Sequence, residues 1–315
     1  MRWVAESVVA IAVAGLVLPL WILPRRVAGW VGRRYGDIAC AVYALDRRAG
    51  VINLRRAFGP TMTRGNARRM TRLAFESVAQ AVVEGVWCLR PGGAASFVRA
   101  GCVTEEHETL AQRALADSRP KLLVTAHLGS WDLAIIWARM AHGRGAVVQR
   151  TFDNRVLQAA LEWARAPLGD TIPKRGAAGE TLNRLRQGQS VAMIVDENAG
   201  PRGCFVPFFG RKASAHRTPA LLAIHTGCPI VMAVMVRRPG GRYLCRSAWF
   251  EPADPAANWT VDTLTAALAG QLEQWVRDDP DQWRWIHWRW KARPDGTEER
   301  YDRATLRSCF SEHPS

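Results

Sequence analysis

Lysine is nearly absent from this sequence, since it supplies only four of the 43 basic residues and arginine supplies the others. With 28 acidic residues, the formal net charge is +15 at neutral pH. Such an excess favours polyanionic partners, among them nucleic acid, anionic lipid, phosphorylated glycolipid and acidic carrier proteins. The arginines are dispersed along the chain and no nucleic-acid-binding motif occurs, so we expect no nucleic acid among the partners. Part of the arginine excess is also typical of a GC-rich genome.

The cysteines lack any pairing pattern: there are seven, an odd number, and none forms a Cys-x-x-Cys pair. This arrangement argues against a disulfide framework and against a zinc site, and it favours a reducing compartment. No dense group of histidine, cysteine, aspartate and glutamate has metal-ligand spacing either. We therefore expect neither a metal nor another cofactor.

Long uncharged stretches are few as well, and one of them lies at the front of the chain. Residues 7–23 contain no charged side chain, although this stretch is short for a bilayer span of about 20 residues. Four arginines follow within residues 25–34, so the positive-inside rule places the rest of the chain in the cytoplasm. We expect residues 1–34 to be a membrane anchor with a basic flank, as a membrane helix or an interfacial one. A cleaved signal peptide is the alternative.

The spacing of apolar residues changes once beyond the anchor. Residues 35–120 have helical periodicity, whereas from residue 121 short apolar runs alternate with helical patterns. This alternation predicts an α/β domain with a mostly parallel sheet flanked by helices, which we place at residues 121–294. Residues 295–315 are a polar C-terminal tail. The predicted strands of the core are 122–126, 146–149, 191–195, 230–236 and 243–250.

The sharpest local signal is His127 with Asp132, at the end of a predicted buried strand. On a continuous helix, residues five apart are turned by about 140°, so these side chains would not face each other. A strand end, a turn at Gly129 and a helix start allow the carboxylate to reach back to the imidazole. An aspartate bound to one ring nitrogen orients the ring, and the other nitrogen then accepts a proton from a hydroxyl. No Gly-x-Ser-x-Gly motif occurs, which favours direct transfer to a hydroxyl over a covalent intermediate.

Longer blocks accompany this pair. They are AHLGSWD at 126–132, QRTFDN at 149–154, VDENAGPRGCFVPFFG at 195–210, TPALLAIHTG at 218–227, DPDQWRWIH at 279–287 and RWKAR at 289–293. Through these blocks the sequence resembles the late acyltransferases of lipid A biosynthesis, the lauroyl/myristoyl transferase family. That family belongs to the wider His-x4-Asp/Glu acyltransferase superfamily. The resemblance covers residues 122–294, with weaker similarity back to the anchor.

The resemblance implies a reaction and its partners. His127 would be the general base and Asp132 its partner, and the donor would be the thioester of an acyl carrier protein. The acceptor would be a hydroxyl of a lipid A-type glycolipid at the cytoplasmic face of the bacterial inner membrane, where the basic flank meets anionic lipids. The acyl chain needs an apolar pocket. We expect this pocket between the anchor and the predicted loop at residues 204–209. The alternative role of this loop is to cover the end of the sheet.

The resemblance also implies further polar residues at the active site. These are Arg150, Arg165 and Asp196, with Glu197 as an additional candidate for substrate binding. Arginines at such a site bind phosphate groups of the donor or the acceptor. From the residues alone, Arg165 also fits a solvated helix position, and Asp196 also fits a turn or a helix N-cap.

Two alternatives stay open. Many lipid A transferases carry glutamate where this sequence has Asp132, whereas aspartate is usual in glycerophosphate and phosphatidylinositol mannoside acyltransferases. A lysophospholipid or a mannolipid is therefore the alternative acceptor. Outside the enzymes, a basic, tryptophan-rich, membrane-tethered binding module fits the composition, because indole rings suit the membrane–water boundary.

Overall fold

The computed structural model describes residues 15, 18–99, 101–142, 145–165 and 169–311. The predicted anchor at residues 7–23 lies mostly outside these ranges, and within it residues 18–22 are helical. None of the helices in the described ranges has the length and hydrophobicity that a bilayer span requires. The membrane helix predicted from the sequence therefore has no support in this part of the chain.

Eleven helices of four residues or more with defined bounds lie in the described ranges. They are α1 (Arg25–Val42), α2 (Ala44–Phe58), α3 (Arg64–Cys88), α4 (Gly93–Arg99), α5 (Glu108–Ala116), α6 (Trp131–His142), α7 (Arg155–Arg165), α8 (Ala177–Arg186), α9 (Thr218–Thr226), α10 (Val261–Asp278) and α11 (Arg303–Ser311). The last of these lies in the polar tail and packs on α2, where Arg55 Nε donates to the carbonyl of Cys309 at 2.8 Å.

Nine strands lie in the same ranges. They are β1 (Val103–Glu105), β2 (Leu122–Thr125), β3 (Gly145–Gln149), β4 (Asp170–Pro173), β5 (Ser190–Ile194), β6 (Cys204–Phe208), β7 (Arg211–Ala215), β8 (Ile230–Arg238) and β9 (Arg242–Phe250). Seven form one sheet in the order β1-β9-β8-β2-β5-β3-β4. Strands β6 and β7 form a separate antiparallel hairpin.

The large sheet is parallel between all neighbours except β8 and β9. These two strands are joined by the three residues Pro239–Gly241, and so short a connection permits only an antiparallel pair. Strand β2 is buried along its whole length, as expected of a parallel strand covered on both faces. The α/β class with a mostly parallel, helix-flanked sheet is confirmed.

The prediction of a loop at residues 204–209 is wrong, because residues 204–208 form β6 and Phe209 is the first residue of a tight turn. Phe209 and Gly210 both have positive φ, as a two-residue hairpin turn requires. For a bulky residue this conformation is strained, and two contacts hold it: the Phe209 amide donates to Glu273 Oε2 at 2.5 Å, and its ring packs on Trp285. The sequence predicts the acyl pocket between the anchor and this segment. Phe209 of the segment belongs to the main core cluster, whereas Leu20 of the predicted anchor lies in another cluster, so these two residues do not pack together.

The tryptophan-rich segment 283–290 contributes to the core. Trp283, Trp285 and Trp290 are buried, and the first two rings meet edge to face with centroids 4.6 Å apart. Burying aromatic rings of this size contributes much of the apolar area that stabilises a domain. These three indoles are therefore unavailable to a membrane surface.

Helix α1 packs on α3 through a stripe of small residues, Ala28, Gly32 and Gly36, spaced four apart. A Cβ added at Gly36 would lie 2.4 Å from the Cα of Glu76, so only glycine permits this backbone approach. A Cβ added at Gly29 of the same helix would meet only the amide nitrogen of the Gln80 side chain, at 3.8 Å.

We expect Gly36→Ala to destabilise the fold by about 1–3 kcal/mol, because the added methyl group forces the two helices apart. Gly29→Ala is the matched control on the same helix. It should stabilise by about 0.5–1 kcal/mol, because alanine loses less backbone entropy than glycine in a helix. Denaturant unfolding of both variants checks this, and equal effects of the two substitutions would contradict the observed packing.

Candidate functional site

The neighbouring parallel strands β2 and β5 bring two predicted site residues together. In their register Thr125 lies opposite Ile194, so His127 and Asp196 both follow two residues beyond the paired ends. Carboxyl ends of parallel strands meet at one edge of a sheet, which is where ligands usually bind in such folds. The two side chains therefore meet although they are 69 positions apart in the sequence.

Three hydrogen bonds hold the carboxylate of Asp196. His127 Nδ1 lies 2.8 Å from Oδ1, while the His127 amide and Trp283 Nε1 both donate to Oδ2 at 2.9 Å. Burial alone would raise the pKa of Asp196, but the attraction to His127 and these hydrogen bonds outweigh it and lower the pKa. An ionised carboxylate at Nδ1 selects the tautomer that carries its proton there. Nε2 is then the nitrogen with a lone pair for an incoming hydroxyl.

The turn that carries His127 is fixed by backbone hydrogen bonds on both sides. The Gly129 amide donates to the Gln282 carbonyl at 3.0 Å, and the Ser130 amide donates to the Met235 carbonyl at 2.7 Å. Gly129 has φ +64°, and a Cβ there would lie 2.1 Å from the Met235 oxygen. The glycine of the AHLGSWD block is thus required by sterics, and it permits the turn predicted between His127 and α6.

Asp132 lies in the first turn of α6, and its carboxylate faces α3. A Cβ added at Gly85 would lie 2.6 Å from Asp132 Oδ2, so the missing side chain of Gly85 makes room for it. Asp132 also lines a small internal cavity with Arg139 and Ile136. The sequence predicts Asp132 as the carboxylate bound to one ring nitrogen of His127, and in the structure Nδ1 is hydrogen-bonded to Asp196. A contribution of Asp132 to catalysis stays a prediction.

Glu197 is the centre of a second charged group beside the His127–Asp196 pair. It accepts from Lys174 Nζ at 2.9 Å and from Arg284 Nη1 at 3.0 Å. Burial would raise the pKa of Glu197, but the Lys174 hydrogen bond and the nearby positive charges lower it to about 2. The Arg284 amide donates to the His127 carbonyl at 3.1 Å, which ties this group to the histidine.

Two basic residues, His287 and Arg289, lie next to Glu197 in the structure. The Asn198 amide donates to His287 Nε2 at 2.9 Å, and burial lowers the pKa of His287 to about 4, so this ring is neutral near pH 7. Arg289 is almost completely buried and donates to the carbonyls of Ser214 and Glu197. Burial lowers the pKa of Arg289 to about 10, which leaves it charged.

The structure describes the side chain of only one of the two arginines predicted at the site. Arg150 directly follows β3, at the same sheet edge as His127, and it is exposed. Arg165 ends α7, and its side chain lies outside the described residues. Sequence reasoning missed Trp283, Lys174 and Arg284 as parts of the site. Two of these stand in the DPDQWRWIH block, but no pattern in that block points to Asp196.

Comparison with known proteins adds a family to this geometry. A family model described as bacterial lipid A biosynthesis acyltransferase matches residues 3–292. The lipid A biosynthesis lauroyltransferase of Escherichia coli (strain K12) is 27% identical over 297 residues, 90% of this chain and 92% of the relative. The lipid A biosynthesis palmitoleoyltransferase of the same strain is 26% identical over 292 residues, with the same coverage. The phosphatidylinositol mannoside acyltransferase of Mycobacterium tuberculosis (strain ATCC 25618 / H37Rv) is 28% identical over 209 residues, 62% of this chain and 61% of the relative.

The hydrogen bonds of Glu197 predict how the free energy of unfolding depends on pH. Glu197→Gln should lower the free energy of unfolding at pH 7 by about 1–3 kcal/mol, because it weakens two charge-assisted hydrogen bonds. Because the pKa of Glu197 is held below its usual value, its contribution is complete above about pH 4.5. It is lost as the pH falls towards 2. The difference from the parent protein should therefore shrink over that interval.

Glu298→Gln is the control for this measurement, because Glu298 is an exposed partner of Lys291 and such surface pairs contribute little. Denaturant unfolding at pH 7, 4.5 and 3 gives the comparison. A Glu197→Gln effect that is equal at all three pH values would contradict the assignment.

Proposed function

Since this chain belongs to the bacterial lipid A biosynthesis acyltransferase family, and is thus an acyltransferase, we propose a specific reaction for it. It transfers a fatty acyl chain from the thioester of an acyl carrier protein to a hydroxyl of a lipid A-type glycolipid. The observation that carries the chemistry is the hydrogen-bonded pair of His127 and Asp196 at the carboxyl edge of the sheet.

In the proposed mechanism, the acceptor hydroxyl attacks the thioester carbonyl while His127 Nε2 takes its proton. The C–O bond forms, the C–S bond breaks, and the imidazolium returns the proton to the departing thiolate of the carrier. Asp196 stabilises the imidazolium and keeps the ring in place. The products are an ester and a free carrier thiol, so the step balances without an oxidant or a metal.

Charged residues around the pair suit substrates that carry phosphate. Arg150 lies at the same edge, and Arg165 is the second arginine that we assign to phosphate binding. Glu197 holds Lys174 and Arg284 beside the histidine. We assign to Glu197 the task of positioning these cations towards the donor or the acceptor, which refines its predicted role in substrate binding.

The relatives and the front of the chain support the proposed acceptor and location. The lipid A transferases align over 92% of their length, whereas the mannoside transferase aligns over 61%, which favours a lipid A-type acceptor. A mannolipid or lysophospholipid is the second candidate, supported by Asp132 and by the mannoside transferase match. The apolar stretch and its basic flank favour the cytoplasmic face of the inner membrane. Mass spectrometry of lipids from a deletion strain of the native host distinguishes the acceptors.

We expect His127→Ala to reduce turnover a hundredfold or more, because it removes the general base. Asp196→Asn should reduce turnover by about ten- to a hundredfold, through loss of the charge that orients the imidazole and stabilises the imidazolium. Steady-state rates on folded, detergent-purified protein measure both effects. Asp132→Asn is assayed beside them, and a larger loss there than in Asp196→Asn would assign the orienting role to Asp132.

Trp283→Phe tests the same assignment in a variant that keeps an aromatic ring but removes the indole N–H together with the five-membered ring. Turnover should fall about tenfold, because Asp196 loses one of its three donors. Trp285→Phe is the matched control, since its buried indole donates to the Pro280 carbonyl instead. Equal losses in the two variants would mean that the effect is structural.

The donor has its own test. With a carrier-bound acyl thioester the rate should fall several-fold as salt rises from about 0.05 to 0.5 M, because the basic protein attracts an acidic carrier. An uncharged acyl thioester of N-acetylcysteamine should show little salt dependence, which controls for effects on the chemistry. Equal rates with carrier and coenzyme A donors at every salt concentration would contradict a carrier donor.

A further inference from the structure

An arginine-rich cleft lies beside the site, between α1, α3 and the turn that joins β8 to β9. Its volume is about 560 Å³. Its charged lining consists of six arginines and three carboxylates, an excess of three positive charges. These residues are Arg25, Arg26, Arg33, Glu76, Glu84, Arg237, Arg238, Arg242 and Asp281.

Several of these charges are already engaged inside the protein. Arg237 is bound by Glu84, and Arg238 by Asp279, so neither offers a free charge. In contrast, Arg33 and Arg242 are exposed and make no side-chain hydrogen bond or ion pair with any residue that the structure describes. The two guanidinium groups lie on different elements that line the same cleft, α1 and β9. Such groups favour a phosphate, which accepts paired hydrogen bonds from arginine.

The helix beside the cleft exposes large apolar side chains. Its small residues face α3, and Trp30 and Ile38 on the opposite flank are 54% and 61% exposed. Ile22 in the preceding helical turn is 85% exposed. At 100° per residue, Arg26 and Arg33 lie between the buried stripe and this apolar flank. A helix that exposes its large apolar residues next to exposed arginines is typical of a membrane–water interface.

The cleft and the His127–Asp196 pair lie at the same edge of the sheet. Strand β8 is parallel to β2, so the β8–β9 turn lies at the same sheet edge as His127. Gln282 lines the cleft, and its carbonyl accepts hydrogen bonds from Gly129 and Ser77. The next residue, Trp283, donates to Asp196. A lipid held in the cleft would therefore lie at the edge of the sheet that carries the reacting groups.

We propose that this cleft binds the phosphate of an anionic phospholipid headgroup, which seats the active edge of the sheet on the membrane surface. The proposal rests on the proposed membrane location, and it is independent of the acyl-transfer chemistry. A lipid suits the cleft better than a carrier protein, because the site is concave and of headgroup size. Its neighbouring surface on α1 is apolar, whereas an acidic protein surface would require an open basic face.

The test is a titration of the full-length protein in a neutral detergent with dihexanoyl phosphatidylglycerol, followed by calorimetry. Dihexanoyl phosphatidylcholine and inorganic phosphate are the comparison ligands. The phosphatidylglycerol should bind more tightly than either. Arg33→Gln combined with Arg242→Gln should weaken its binding about thirtyfold, from the loss of two charges next to the phosphate.

Arg303→Gln combined with Arg307→Gln is the matched control, since these exposed arginines of α11 remove the same charge elsewhere. That control should leave the affinity within about twofold at physiological salt. Ile38→Ser should weaken lipid binding but not phosphate binding, with Leu221→Ser, at an exposed apolar position elsewhere, as its control. The same titrations are made on His127→Ala, so that the result does not depend on turnover.

Three outcomes would overturn the proposal. Equal losses in the cleft variant and the α11 variant would indicate an effect of bulk charge. Equal affinities for inorganic phosphate and the lipid would indicate a free-phosphate site. A raised KM for the carrier donor, with lipid binding unchanged in the cleft variant, would assign the cleft to the carrier protein.

Discussion

The Asp196 carboxylate is buried and accepts hydrogen bonds from the imidazole and the amide of His127 and from the indole of Trp283. A buried charge costs several kcal/mol unless it is paired and hydrogen-bonded. The fold therefore requires these three donors in order to bury Asp196, and the proposed reaction requires them to orient His127. They lock together the ends of β2 and β5 and the segment that follows α10. The site is therefore held by contacts between segments that also form the core.

The segment after α10 links several parts of the molecule. Its tryptophans fill the core under the β6–β7 hairpin, where Phe208 packs on Trp283 and Phe209 on Trp285. Its backbone holds the His127 turn, and its Arg284 side chain binds Glu197. Aromatic packing thus fixes the position of polar groups that lie one or two residues away, which is how a rigid core keeps a site preorganised.

The active edge of the sheet has a charge pattern that suits its proposed substrates. Towards β3 lies the exposed Arg150, and towards β8 and β9 lies the arginine cleft. Between them, the acidic side chains of the site are held by internal partners and do not offset these arginines. Under the two proposals, Arg150 would meet a phosphate group of the substrate, and the cleft would meet the headgroup phosphate of a membrane lipid.

The fold class could be predicted from the sequence, because alternating apolar runs and helical periodicity depend only on local burial. The position of His127 at a strand end and the turn at Gly129 could also be predicted, since a strand end followed by glycine is a local pattern. The partner of Nδ1 was decided by tertiary structure: the register of two parallel strands brings Asp196 to the ring, and local sequence does not encode which strands become neighbours. The burial of Trp283, the β6–β7 hairpin and the arginine cleft have the same origin. Each depends on contacts between segments far apart in the chain, and the entropy of closing such loops is offset only when the whole core assembles.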